Sequence, residues 1–131
     1  MSPWFYLAGS ACLAIGSKLP LAIAMFKHGG GRYDNQTPRA QQAELDGWGA
    51  RARAAHYNTL EAFPFFAVGF LAAQLGGGDA SWVHILCITW FIGRVAYIWA
   101  YLQNLGTFRT TVWGVSFFAS IGLMLLPMLS G

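Results

Sequence analysis

Of 131 residues, 56% are hydrophobic and only 10% are charged, far from the roughly 25% charged content of soluble domains. A soluble enzyme is thereby excluded, and a single membrane-embedded domain, residues 1–131, is expected. The net charge of +3 is small and gathered mainly in one loop, which excludes a nucleic-acid footprint and reads as a topology signal.

The first span is predicted near 4–26. Pro3 can begin a helix, and the apolar run is interrupted only by Lys18, whose long stem can snorkel to the interface. Pro20 should kink this helix and free a backbone carbonyl. No basic region precedes the run and no cleavage site follows it, so the segment is expected to stay in the protein. Lys27 to Arg39 reads as a polar loop, and its Gly29-Gly30-Gly31 as a flexible turn. A phosphate loop would need a Gly-Lys-Ser/Thr ending and a preceding strand.

The second span is predicted near 46–75. At about 100° per residue, Arg51, Ala54, Ala55, Asn58 and Glu61 share a face, whereas Arg53 points nearly opposite, toward lipid headgroups. Pro64 permits a bend. An ionisable group inside a span costs about 2.5 kcal/mol or more unless paired or facing a polar cavity, so Glu61 is a functional candidate. After the Gly76–Asp79 turn, a third span near 82–104 carries Arg94, Tyr97 and Tyr101 at i, i+3 and i+7. Beyond Asp46 at the water-facing start of the second span, Glu61 is the only carboxylate in any span, so an ion pair with Arg94 is predicted.

A loop at Leu105–Arg109 leads to a fourth span near 110–129. Lys27, Arg32 and Arg39 after the first span, and Arg109 after the third, put both basic loops in the cytoplasm and both termini on the other side. Cys12 and Cys87 lie in apolar segments without metal-site or disulfide spacing and are expected to be small buried hydrophobes. No metal is expected, since His28, His56 and His84 have no ligand companions; His56 reads as a packing or headgroup residue. Each polar residue also has a plainer reading. Glu61 and Arg94 could only fix helix register, the tyrosines could be interface aromatics, and Arg109 a positive-inside anchor.

Ala55-His56-Tyr57-Asn58-Thr59-Leu60-Glu61, followed by Phe63-Pro64-Phe65, resembles the second-helix motif of the MAPEG family, the membrane-associated proteins of eicosanoid and glutathione metabolism. Gly93 to Leu102 resembles that family's third-helix motif, and Arg109-Thr110 its Arg-Ser pair before helix four. The resemblance implies an all-α, four-helix transmembrane bundle that assembles as a homotrimer among membrane lipids, in a bacterial inner membrane. It further implies glutathione as co-substrate, bound between subunits, and a lipophilic small-molecule substrate entering from the bilayer.

Carried over residue by residue, Arg51, Asn58, Glu61, Arg94, Tyr97 and Tyr101 hold glutathione. Arg109 stabilises its thiolate, and Thr110 stands where some members have a serine close to the sulfur. Ala54 and Tyr57 occupy positions where several members carry arginine, so at least one family contact is missing. Two function classes follow. One is a glutathione-dependent transferase or peroxidase acting on lipophilic electrophiles or lipid hydroperoxides; the other is a non-catalytic trimeric assembly or lipid-binding protein.

Overall fold

A computed structural model of the chain describes residues 2–129, and among these every regular element is helical. The helices are α1 (Trp4–Gly16), α2 (Lys18–His28), α3 (Pro38–Ala43), α4 (Gly47–Leu75), α5 (Ala80–Leu102) and α6 (Gly106–Leu129). Three stretches are long and apolar enough to cross a membrane: Trp4–His28, Ala80–Leu102 and Gly106–Leu129. The 29-residue α4 has the length, about 44 Å at 1.5 Å per residue, but Arg51, Arg53, Asn58 and Glu61 dilute its first half.

Regular helix is interrupted three residues before Pro20, at Ser17, which keeps helical backbone angles of φ −61° and ψ −13°. Lacking an N–H, Pro20 cannot bond the Gly16 carbonyl, and regular helix stops at Gly16 and resumes at Lys18. Ser17 fills the break. Its hydroxyl donates to the Ala14 carbonyl at 2.7 Å and lies 2.8 Å from Nδ1 of the buried His56. A serine has one proton, so with that proton given to Ala14, His56 donates through Nδ1–H. His56 is therefore a buried tie between α4 and the helix break, not a headgroup residue.

The loop after α2 is shorter than predicted, running from 29 to 37. Gly30 and Gly31 adopt φ of 62° and 89°, left-handed values that glycine reaches without strain. Asp34 accepts from the Gln36 and Thr37 amides at 2.9 and 2.8 Å and from the Thr37 hydroxyl at 2.6 Å. Those Thr37 bonds favour the charged carboxylate and hold Asp34 below its ordinary pKa. Gln41 ties the loop to the bundle, donating to the Met25 and Arg32 carbonyls at 3.0 and 3.1 Å.

At the other boundaries, Asp79 caps α5 by accepting from the Ser81 and Trp82 amides at 3.0 and 3.1 Å. The loop expected at Leu105–Arg109 shrinks to residues 103–105. Arg109 and Thr110 thus stand inside α6, where Thr110 and Thr111 donate back to the Gly106 and Thr107 carbonyls at 3.1 and 3.0 Å. Bonding to the carbonyl four residues earlier satisfies each threonine hydroxyl within the helix.

The core of the bundle is aromatic. Phe66 stacks on Trp90 with centroids 4.2 Å apart, and Phe70, Cys87, Leu123 and Leu126 are among the residues of that cluster. A second cluster of Leu21, Ala24, Met25, Leu45 and Ala52 seats α2 against α4. Cys87 is buried as expected, but Cys12 lies exposed on α1. Two glycines set the spacing around α6. A Cβ at Gly69 would meet the Ser120 carbonyl at 2.6 Å, and one at Gly93 would meet Ser116 Cβ at 3.1 Å. This close approach of α4, α5 and α6 brings their polar residues together, and α4 runs through Pro64 without a break in its helical assignment.

Candidate functional site

Arg94 organises the polar interior. It is 1% exposed, and its Nη2 donates to Asn58 Oδ1 at 3.1 Å and to Thr59 Oγ1 at 2.9 Å. Thr59, fully buried, gives its own proton to the Ala55 carbonyl at 2.8 Å, leaving its lone pairs for the guanidinium. The guanidinium also lies 4.2 Å from the Tyr97 ring centroid. Tyr97 meets Tyr101 edge-on at 5.6 Å, and Arg109 sits 4.3 Å over Tyr101. The outcome is a ladder of arginine, two tyrosines and arginine, joining α5 to the first turns of α6.

The predicted Glu61–Arg94 ion pair is not formed. Glu61 is exposed, and the Arg94 guanidinium turns to Asn58 and Thr59 instead. The guanidinium is solvated one turn earlier on α4. Each hydrogen bond from a charged donor is worth about 1.5–3 kcal/mol and a desolvated cation–π contact about 2 kcal/mol, so neutral groups suffice to hold Arg94. Its Nε–H finds no partner among the described residues.

Two adjoining hollows open from this ladder. One, of about 200 Å³, is lined by Asn58, Tyr97, Tyr101, Arg109, Thr110 and Trp113. The other, also about 200 Å³, is lined by Asn58, Glu61, Ala62, Phe65, Trp90, Arg94, Trp113, Ser116, Phe117 and Ser120. Of the eight residues that the sequence singled out, the structure gathers seven around this pair of hollows. Arg51 is the exception. It lies two turns, about 10 Å along the helix, from Asn58, and its buried Nε has no partner among the described residues.

Arg53 is not directed at headgroups: its Nη1 donates to the Gln42 carbonyl at 2.6 Å, which also accepts from the Leu45 amide at 3.3 Å at the end of α3. Tyr57 donates to Gln42 Oε1 and accepts from Arg39 Nη1 at 2.9 Å, with the Arg39 guanidinium 5.3 Å from its ring. Sequence reasoning missed Thr59 and the α6 wall of Trp113, Ser116, Phe117 and Ser120. The signal for the wall was present: Trp113, Ser116, Phe117 and Ser120 recur at three- and four-residue steps, one helical face.

Compared with known proteins, the chain matches the model of the MAPEG family over residues 4–129. No curated protein and no solved structure matches the chain.

Proposed function

The chain belongs to the MAPEG family, and on that premise we propose that it is a membrane-embedded glutathione-dependent transferase or peroxidase acting on lipophilic electrophiles or lipid hydroperoxides. The observation that carries this reading is the convergence of Asn58, Tyr97, Tyr101, Arg109 and Thr110 on one hollow. Glu61 and Arg94 line its neighbour. The charges are complementary. Glutathione as thiolate carries two carboxylates, one ammonium and the sulfur anion; Arg51, Arg94 and Arg109 offer three cations and Glu61 one anion.

In this reading Asn58, Glu61, Arg94, Tyr97 and Tyr101 hold the peptide, and Arg51 reaches it from the same face of α4. Arg39, resting on Tyr57, adds a guanidinium beside a position where some members carry arginine. Arg109 faces the sulfur. A guanidinium there favours the thiolate and draws its pKa below the ordinary value of about 8.5. Thr110 is the weaker donor because its proton is engaged by the Gly106 carbonyl. The thiolate then attacks the electrophile, forming the C–S bond as the leaving group departs with the electron pair. With a hydroperoxide the thiolate attacks the terminal oxygen, the O–O bond breaks and the alkoxide leaves to be protonated to the alcohol; a second thiol then attacks the resulting sulfenic acid, forming the disulfide and releasing water.

The proposed assembly has four spans, with α1 and α2 forming the first and α4 crossing despite its polar half. Three copies form a homotrimer, both termini lie opposite the cytoplasm, and the unpartnered Arg51 Nε finds its acceptor at the subunit boundary or on the ligand. Glutathione titration of the protein in nanodiscs, followed by thiolate ultraviolet absorbance, tests the reading. Saturable thiolate formation below the free thiol's pKa supports it. Absence of any thiol binding favours the non-catalytic assembly.

A further inference from the structure

We propose that the end of the bundle remote from the thiol site carries a separate binding site, which takes the ring of an uncharged benzoquinone. Its cavity, of about 180 Å³, lies where the start of α1, the end of α4 and the start of α5 meet, with Tyr6, Gln74 and His84 in its walls. Gln74 stands about 24 Å along α4 from Asn58, at 1.5 Å per residue. The two sites therefore share no residue.

Tyr6 is 9% exposed. Its hydroxyl is hydrogen-bonded to Nδ1 of His84, and the two rings meet edge-on with centroids 5.5 Å apart. A buried phenol gives its proton to a partner, and Nδ1 is the partner that Tyr6 has among the described residues. The neutral imidazole then carries its own proton on Nε2. Gln74 makes no side-chain hydrogen bond among the described residues. The lining thus offers two N–H donors from different helices, His84 Nε2–H on α5 and the Gln74 amide on α4.

Charge and size narrow the ligand. Among the described residues no lysine or arginine lines the cavity, and next to it Asp79 sets a carboxylate at the start of α5, where it accepts from the Ser81 and Trp82 amides. An anionic head is disfavoured there, and N–H donors do not suit a cation. The volume is only a little above the roughly 150 Å³ of a protein cavity that holds benzene, so one substituted ring fills it. Pro3 and Val83 supply apolar wall. A benzoquinone has the matching form, a flat ring whose two carbonyl acceptors stand at opposite ends. Trp4 and Trp82, 45% and 56% exposed, are aromatics of the kind that mark head-group depth, where a ring dissolved in the bilayer can reach the cavity.

The probe is duroquinone, whose methyl groups leave no ring carbon open to a thiol, titrated without glutathione into the purified protein in phosphatidylcholine nanodiscs. Magnetic resonance of isotopically labelled histidine reports the site, because the chain holds three histidines and of these His84 alone lines this cavity. The expected result is a saturable shift of the His84 signals with His28 and His56 unmoved. Affinity should weaken about five- to tenfold in Gln74→Leu, as for the loss of one hydrogen bond. Durene, the same methylated ring without carbonyls, should bind at least about tenfold more weakly. That comparison needs no variant and carries the test should Gln74→Leu not fold. Equal binding of durene, wild-type affinity in a folded Gln74→Leu, shifts at all three histidines, or no saturable shift at His84 overturns the inference. So does loss of the duroquinone shift in phosphatidylethanolamine nanodiscs, which would assign the cavity to a lipid head group.

Discussion

Thr59→Val removes one oxygen and keeps the side-chain shape, which isolates what the buried hydroxyl does. In the wild type that oxygen accepts from Arg94 at 2.9 Å, and neither residue is more than 1% exposed. Its loss forfeits a hydrogen bond to a charged donor, about 1.5–3 kcal/mol. Asn58 and the Tyr97 face remain, so the guanidinium is not stranded, and the larger penalty of an uncompensated buried charge, about 3–5 kcal/mol, does not apply. The expected destabilisation is therefore about 2 kcal/mol. Thr59→Ser keeps the acceptor and loses one methyl group, about 0.8 kcal/mol. Reversible unfolding in mixed micelles, comparing the three proteins, measures the difference. If Thr59→Val is no less stable than Thr59→Ser, the hydroxyl does not hold Arg94 and the account of the polar interior is wrong.

Glu61→Gln should change stability by less than about 0.5 kcal/mol, as for surface substitutions, while raising the Michaelis constant for glutathione. A loss of several kcal/mol in the same unfolding assay would restore the ion pair with Arg94. Gly69→Ala should cost about 1–3 kcal/mol by overpacking, because its Cβ would press on the Ser120 carbonyl of α6, whereas Gly114→Ala, with nothing within 4 Å, should fall within about 0.5 kcal/mol of wild type. Equal stabilities for these two variants would contradict the close approach of α4 and α6.

The helical class and three of the membrane stretches were legible because an apolar run of twenty residues or more has the length to cross a bilayer, and a helix satisfies its own backbone there. Half of the predicted span ends shifted by two to four residues, the largest shift being the start of α6, at Gly106 rather than 110. Helical spacing put Asn58 with Glu61 on one face of α4 and Arg94, Tyr97 and Tyr101 on one face of α5, whereas Arg109 and Thr110 were singled out through the family resemblance alone. Arg94's partner was not legible. Charge complementarity pointed to Glu61, but which α4 residue meets Arg94 depends on the depth and rotation of packed helices. Those are set by glycines such as Gly69 and Gly93 and are not a local property of the motif. Arg39 on Tyr57, and Ser17 against His56, are tertiary contacts across 18 and 39 residues, and no periodicity within one helix announces them.

Arg109 tests the central claim most directly, because a guanidinium beside the sulfur interacts with the thiolate and hardly with the thiol, and so acts on the state that reacts. The measurement is the pH at which bound glutathione absorbs as thiolate, in Arg109→Ala against Asn58→Ala, alongside turnover with a lipophilic electrophile. Arg109→Ala should raise the bound-thiol pKa toward about 8.5 and lower turnover at saturating glutathione; Asn58→Ala should mainly raise the Michaelis constant. An Arg109→Ala protein with the wild-type thiolate pKa and undiminished turnover would contradict the account.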